Sequence, residues 1–131
     1  MLERKTEVSL LLLHEQHLQL YRFVEQLDSA IAAGVKACAL RSTLDALDEY
    51  TKVHFSDEEE LMLIHGYHSL RAHRAEHNAL AMKLAVARQE YEAGKDDVLS
   101  SLAHYLHSWL TDHIDGWDRQ FHQFLNARGL H

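Results

Sequence analysis

Residues 54–58 read His-Phe-Ser-Asp-Glu, and residues 73–77 read His-Arg-Ala-Glu-His. The first stretch places a histidine four residues before a glutamate, and the second places two histidines four residues apart. Side chains four residues apart lie on the same face of an α-helix, within reach of one point. Both stretches continue an apolar pattern with alternating spacings of three and four, which is typical of the inner face of a bundle helix. They therefore predict two helices that turn metal-ligand side chains toward a core.

Glycines divide the rest of the chain into segments of similar length. Gly34, Gly66 and Gly94 each follow a helical pattern, and a glycine just past a helix readily adopts the left-handed conformation that ends it. The 131 residues include no proline and only five glycines, which favours long helices. Short connections make neighbouring helices antiparallel, so we predict one all-α domain over residues 1–131, an up-down-up-down antiparallel four-helix bundle. The predicted helices are about Ser9–Ala33, Ala37–His65, Ser69–Ala93 and Asp97–Arg128.

Each predicted helix places at least one histidine on its core-facing seam. An unsatisfied buried polar group costs about 1–3 kcal/mol and a buried charge costs more, against a net stability of about 5–15 kcal/mol. A single such histidine is usually a hydrogen-bonded core residue, but a whole set needs a common partner, and a metal centre provides one. The candidate ligands on the four seams are His17, His54, Glu58, His73, His77 and His113.

The seam of the fourth helix leaves one position open. After His113 the next core position falls on Trp117, or on Asp118 if the register contains one extra residue. With Asp118 the candidate set reaches seven residues, which is too many for one tetrahedral zinc. Imidazole and carboxylate donors suit iron, zinc or manganese, and two such metals in a shared site lie about 3.5–4 Å apart.

Composition disfavours several other classes of protein. A formal net charge of −7 disfavours nucleic-acid binding, which needs a basic surface. The apolar run Leu10–Leu13 is far too short to cross a bilayer, so we expect no membrane insertion. The lone Cys38 excludes an internal disulfide, leaves copper(I) and iron–sulfur clusters without their thiolate ligands, and fits a reducing compartment. We therefore expect a cytoplasmic protein, and a monomer because its polar faces are ordinary.

Five motif pieces occur in order between about Val8 and Leu125. They are Gln16-His17 with Leu20, His54-Phe55-x-x-Glu58-Glu59-x-x-Met62, Gly66-Tyr67, His73-x-x-x-His77 and Trp109-Leu110-x-x-His113-Ile114-x-x-x-Asp118. This series resembles the hemerythrin family, in particular its single-domain bacterial members. The resemblance implies a non-haem di-iron site, with an oxo or hydroxo bridge, that binds O2 reversibly.

The resemblance also implies a role for each candidate residue. One iron would be held by His73, His77 and His113. The other would be held by His17 and His54, and Glu58 and Asp118 would bridge the two. Four apolar residues resemble the wall of the family's O2 pocket: Phe55, Trp109, Leu110 and Ile114. An apolar wall is expected to slow proton entry, which distinguishes a carrier from an oxidase.

A bridging Asp118 requires the extra residue in the register of the fourth helix. One extra residue is the sequence form of a π-bulge, and such bulges are frequent at functional sites. We predict a bulge between His113 and Asp118, where Gly116 would ease it.

We expect an O2-binding protein for storage, transport or delivery rather than an enzyme. Two alternatives stay open: a sensor of O2, redox state or nitric oxide that acts through a separate partner, and a di-iron peroxidase or oxidase. The family usually has an aspartate where this chain has His14, which leaves the role of His14 open. Glu59 is expected on a solvated face, with a contact to a ligand histidine as the alternative, and His122 is predicted at the surface.

Overall fold

The computed structural model describes residues 10–34, 36–95 and 97–129, and within these ranges the chain forms four helical rods. The first three rods are single α-helices: α1 (Leu10–Ala32), α2 (Ala37–Ile64) and α3 (Leu70–Glu92). The fourth rod is continuous and consists of α4 (Val98–Asp112), a π-helical segment (His113–Asp118) and α5 (Arg119–Ala127). The predicted all-α four-helix bundle is confirmed, and the described helix ends lie within one residue of the predicted bounds. The predicted start at Ser9 lies outside the described residues.

The rods pack in a closed ring. Helix α1 contacts α2, α2 contacts α3, α3 contacts α4, and α4 contacts α1. Because the connections are only a few residues long, consecutive rods run antiparallel. Segments from all four rods therefore meet at one level of the core. None of the described helices has both the length and the apolar character that crossing a bilayer requires.

The turn after α2 shows how glycine ends these helices. Gly66 has a φ of +64°, a conformation that costs other residues energy because their Cβ approaches the backbone. Its N–H donates to the Leu63 carbonyl at 3.2 Å, and the N–H of Tyr67 donates to the Met62 carbonyl at 2.9 Å. The Tyr67 and Met62 side chains also belong to one apolar cluster, so the turn is joined to the core.

Among the described residues, the core consists of two apolar clusters with a polar layer between them. The smaller cluster contains Leu13, Leu61, Met62, Tyr67, Phe121 and Leu125. The larger cluster contains Leu20, Val24, Leu27, Leu44, Leu47, Phe55, Leu80, Leu84, Ala87, Leu99, Leu102, Ala103, Leu106 and Leu110. On α1, for example, His17 falls between Leu13 of one cluster and Leu20 of the other. Burial of the apolar residues drives the rods together and removes the layer between them from water.

The fourth rod contains the predicted π-bulge. Residues His113–Asp118 form a π-helix, and the backbone on both sides keeps right-handed helical dihedral angles. The extra residue turns Asp118 into the core, where it is fully buried, while Trp117 stays partly exposed. Gly116 does not need to be glycine, because its φ is outside the left-handed region and a Cβ at this position would meet no atom within 4 Å.

Alanine substitutions at these two glycines should have opposite effects. Gly66→Ala should lower the free energy of unfolding by about 1–2 kcal/mol, because alanine must adopt a positive φ. Gly116→Ala should be neutral or stabilising by up to about 1 kcal/mol, because alanine is the better helix former. Urea denaturation of both variants measures the difference, and equal losses of stability would contradict this account of the two sites.

Candidate metal centre

All seven predicted metal-ligand side chains lie together in the polar layer. The rods supply His17 from α1, His54 and Glu58 from α2, His73 and His77 from α3, and His113 and Asp118 from the π-helical segment. None of the seven is more than 4% exposed. Their donor atoms form two groups, and within each group the atoms lie within 4.8 Å of one another. The layer is therefore a cluster of convergent donors and not a scatter of buried polar residues.

The first group, here called the three-histidine pole, contains the Nε2 atoms of His73, His77 and His113. The Nε2 atom of His113 lies 3.1 Å from that of His73 and 3.2 Å from that of His77. One oxygen of each carboxylate completes this pole. Glu58 Oε1 lies 2.8 Å from His73 Nε2, and Asp118 Oδ1 lies 2.9 Å from the same nitrogen.

The second group, here called the two-histidine pole, contains His17 and His54. It uses the other oxygen of each carboxylate. His17 Nε2 lies 2.9 Å from Asp118 Oδ2 and 3.7 Å from Glu58 Oε2, and His54 Nε2 lies 3.8 Å from Glu58 Oε2. Glu58 and Asp118 therefore each direct one oxygen to each pole.

The carboxylates lack ordinary hydrogen-bond partners. All four oxygens of Glu58 and Asp118, together with His17 Nε2, are buried with no hydrogen bond to any described residue. Several imidazole nitrogens lie 2.8–3.0 Å from these oxygens as close ion-pair contacts. Orphaned buried polar atoms are costly, and cations among them would satisfy all of them at once. The donors therefore fit a metal, and the imidazole and carboxylate chemistry suits iron, zinc or manganese.

Burial and mutual attraction act in opposite directions on the ionisable groups. Burial raises the pKa of Glu58, but four neighbouring imidazoles, with His113 the strongest, outweigh it and hold this pKa well below its usual value. Burial and the charge of Glu58 raise the pKa of Asp118, and the imidazoles again lower it by more. Burial lowers the pKa values of His17 and His73, but their contacts with Asp118 and Glu58 raise each to about 9. In the metal-free chain, protons on imidazoles thus balance the negative charge of the carboxylates. Metal cations would balance the same charge.

Two of the histidines contact other side chains through Nδ1, the ring nitrogen that is not directed to the poles. His77 Nδ1 lies 2.7 Å from Glu59 Oε2, and Arg74 Nε donates to Glu59 Oε1 at 2.9 Å. Glu59 thus makes the contact that the sequence left as an alternative. His54 Nδ1 lies 2.7 Å from the Gln16 carbonyl oxygen. Sequence reasoning missed this role of Gln16, because Gln16 lies off the regular seam of α1.

Aromatic rings cover one side of the cluster. Phe55 stacks on His77 with ring centroids 3.8 Å apart, and Trp109 stacks on His113 at 4.4 Å. Three of the four predicted wall residues, Phe55, Trp109 and Leu110, line a cavity of about 20 Å³. The other lining residues are Thr51 and five leucines or valines: Leu20, Val24, Leu47, Leu80 and Leu106. The Thr51 hydroxyl donates to the Leu47 carbonyl at 2.7 Å. The cavity is apolar and large enough for about one water-sized molecule.

The fourth predicted wall residue, Ile114, packs against the same apolar cluster but is not among the residues that line this cavity. Ile114 lines a separate recess at the surface, together with His14, His17 and His122. The recess also corrects the prediction for His122, which is partly buried with its ring nearly parallel to that of His17 at 6.1 Å. Burial lowers the pKa of His122. His14 is exposed and contributes no atom to either pole.

Comparisons with known proteins agree with this arrangement. Residues 9–125 match the family described as "Hemerythrin HHE cation binding domain". A protein named bacteriohemerythrin from Methylococcus capsulatus is 31% identical over 113 residues, which are 86% of each chain. Another, from Stenotrophomonas maltophilia, is 30% identical over 113 residues, which are 86% of this chain and 72% of the relative. A third, from Pseudomonas aeruginosa, is 32% identical over 99 residues, which are 76% of this chain and 63% of the relative.

The match covers most of the chain and includes every residue of the two poles. The resemblance inferred from the motifs is thereby confirmed. The chain belongs to the hemerythrin family.

Proposed function

We propose that this chain binds O2 reversibly at a pair of iron ions and serves in O2 storage, transport or delivery. The observation that carries the proposal is the division of the two carboxylates between the poles. One oxygen of Glu58 and one of Asp118 face three imidazoles, and the other oxygens face two. Such sharing suits two metals close together and would serve no purpose around a single ion.

The two poles would hold the two ions unequally. The three-histidine pole offers one ion three imidazoles and two carboxylate oxygens, and the two-histidine pole offers the other only two imidazoles and two oxygens. The second ion would thus keep more room for an external ligand. When bound, a ferrous pair supplies the two electrons on which reversible O2 binding depends.

The protein's own contribution is to keep water and protons away from the ligand. Phe55, Trp109 and Leu110 line the apolar cavity. Phe55 and Trp109 stack on histidines of the three-histidine pole, and the Phe55 ring also lies 6.0 Å from the His54 ring of the two-histidine pole. The Thr51 hydroxyl in this lining is already bonded to the Leu47 carbonyl, so the cavity admits a small apolar molecule more readily than a charged or strongly hydrated one. Slow proton entry favours release of unchanged O2 over its reduction.

The first prediction concerns reversibility. Reduced, iron-loaded protein exposed to air should develop a visible charge-transfer band that disappears under argon and returns over repeated cycles. Absorption spectroscopy with a peroxide assay tests this. Loss of the band in the first cycle with release of hydrogen peroxide would support an oxidase instead. Steady consumption of added peroxide would support a peroxidase, and a protein that never forms the band would overturn O2 binding.

The second prediction concerns the shared carboxylate of Glu58. Glu58→Gln keeps the shape of the side chain but removes its charge and one of its two metal-facing oxygens, so the chain should lose at least half of its bound iron. Thermal stability of the iron-loaded sample should fall with it, because metal binding is coupled to folding. Glu49→Gln makes the same change at an exposed position on α2 and should keep full iron content. Iron analysis after gel filtration provides the measurement, and undiminished iron in Glu58→Gln would contradict the assignment.

The third prediction concerns pH and the metal-free chain. The pKa values of His17 and His73 are raised from 6.5 to about 9 in the folded protein. Their contribution to stability is therefore complete below pH 6.5 and is lost as the pH rises toward 9. The melting temperature of chelator-treated protein should fall by on the order of 10 °C across this interval.

Iron-loaded protein should show no such alkaline decline, because the imidazoles are then neutral and hold metal instead of protons. Thermal unfolding of both forms, followed by circular dichroism between pH 6.5 and 9, tests the pair of expectations. If the melting temperature of the metal-free form were equally independent of pH, the imidazoles would not be taking up protons in place of the metal cations.

A further inference from the structure

Gln16 connects a ligand histidine to a buried carboxylate outside the two poles. Its carbonyl oxygen lies 2.7 Å from His54 Nδ1, and its amide nitrogen donates to Asp57 Oδ2 at 2.8 Å. All three side chains are buried, Gln16 at 4%, His54 at 1% and Asp57 at 5% exposure. The chain of contacts crosses from α1 to α2, on the side of His54 that faces away from the metal donors.

Donor and acceptor chemistry determines the direction of every bond in this chain. An ionised carboxylate accepts hydrogen bonds but cannot donate them, so Asp57 must face the amide nitrogen of Gln16. The carbonyl oxygen of Gln16 is then directed to His54, and it too can only accept. The proton of the neutral His54 ring must therefore be on Nδ1. The Nε2 lone pair is left free on the side where Glu58 Oε2 lies 3.8 Å away.

We propose that Gln16 is a positioning residue that selects the metal-binding tautomer of His54 and thereby sets the metal affinity of the two-histidine pole. The inference rests on the proposed function, since it assumes that this pole holds the second iron. Asp57 acts through Gln16, because its hydrogen bond to the amide nitrogen prevents the amide from rotating by 180° and exchanging its oxygen and nitrogen.

The corresponding partner at the other pole has a different charge. His77 Nδ1 faces the carboxylate of Glu59, whereas His54 Nδ1 faces a neutral amide. An anionic acceptor makes an imidazole a stronger electron donor than a neutral acceptor does. His77 is therefore the stronger donor to its metal, and the two-histidine pole, which also has fewer donors, is the one that fills second.

The test compares Fe²⁺ binding to three variants under anaerobic conditions, by competition with a chromophoric chelator. Gln16→Met removes the acceptor while keeping the length of the side chain. It should bind the first Fe²⁺ as the wild type does and the second about 10- to 100-fold more weakly. Gln26→Met makes the same change at an exposed position of α1 and should match the wild type. Gln16→Glu keeps an acceptor for His54, sharing a proton with Asp57, and should restore most of the second affinity.

A second measurement needs no metal. Nitrogen-15 NMR of the metal-free wild type should show the ring proton of His54 on Nδ1, where the Gln16 carbonyl oxygen accepts it at 2.7 Å. In Gln16→Met the His54 ring should populate both neutral tautomers, and in Gln16→Glu it should again carry its proton on Nδ1. A purely structural role of Gln16 would change stability but would leave the tautomer as it is.

The outcomes separate the inference from the function on which it rests. Equal second-site affinities in wild type and Gln16→Met, or an unchanged tautomer, would overturn the role of Gln16. A wild type that binds fewer than two Fe²⁺ ions would overturn the proposed di-iron function, while the NMR measurement would still decide whether Gln16 orients His54.

Discussion

The arrangement of the bundle core is set by the need to compensate two buried carboxylates near its centre. Glu58 and Asp118 are fully buried, on rods that are not neighbours in the sequence. Negative charges in an apolar interior require compensation, and unpaired ones would exceed the net stability of a small domain. In the metal-free chain His17 and His73, whose pKa values are raised to about 9, supply it by holding protons, and the nitrogens and oxygens of the whole cluster are suited to holding cations.

The architecture follows from bringing these donors to one level. No single helix can surround two carboxylates, so each rod contributes one or two ligand side chains and the ring of helices closes around them. On the fourth rod, His113 and Asp118 are five residues apart and reach the same face only because the backbone between them is π-helical. Apolar clusters above and below the layer keep it dry. The π-helical segment and the apolar clusters thus both contribute to the same site.

Sequence reasoning predicts those parts of the site that depend on helical periodicity. His17, His54 and His73 lie at seam positions, and the interval from His113 to Asp118 indicates the bulge by its length. Contacts that depend on how one rod is rotated against another are not specified by periodicity. The bond from Gln16 to His54 and the partial burial of His122 against α1 belong to this class. Ile114, within the π-helical segment, borders the surface recess and also packs against the larger apolar cluster, and periodicity does not specify this position either.

X-ray absorption spectroscopy of the iron-loaded protein shows whether the two poles hold a pair of irons, because it reports the ligands and the neighbouring metal together. We expect two irons per chain, nitrogen and oxygen ligands only, and iron–iron scattering at about 3.5–4 Å. One iron per chain without a metal neighbour, or a single tetrahedral zinc in carefully reconstituted protein, would contradict it. The shared carboxylates would then require a different explanation.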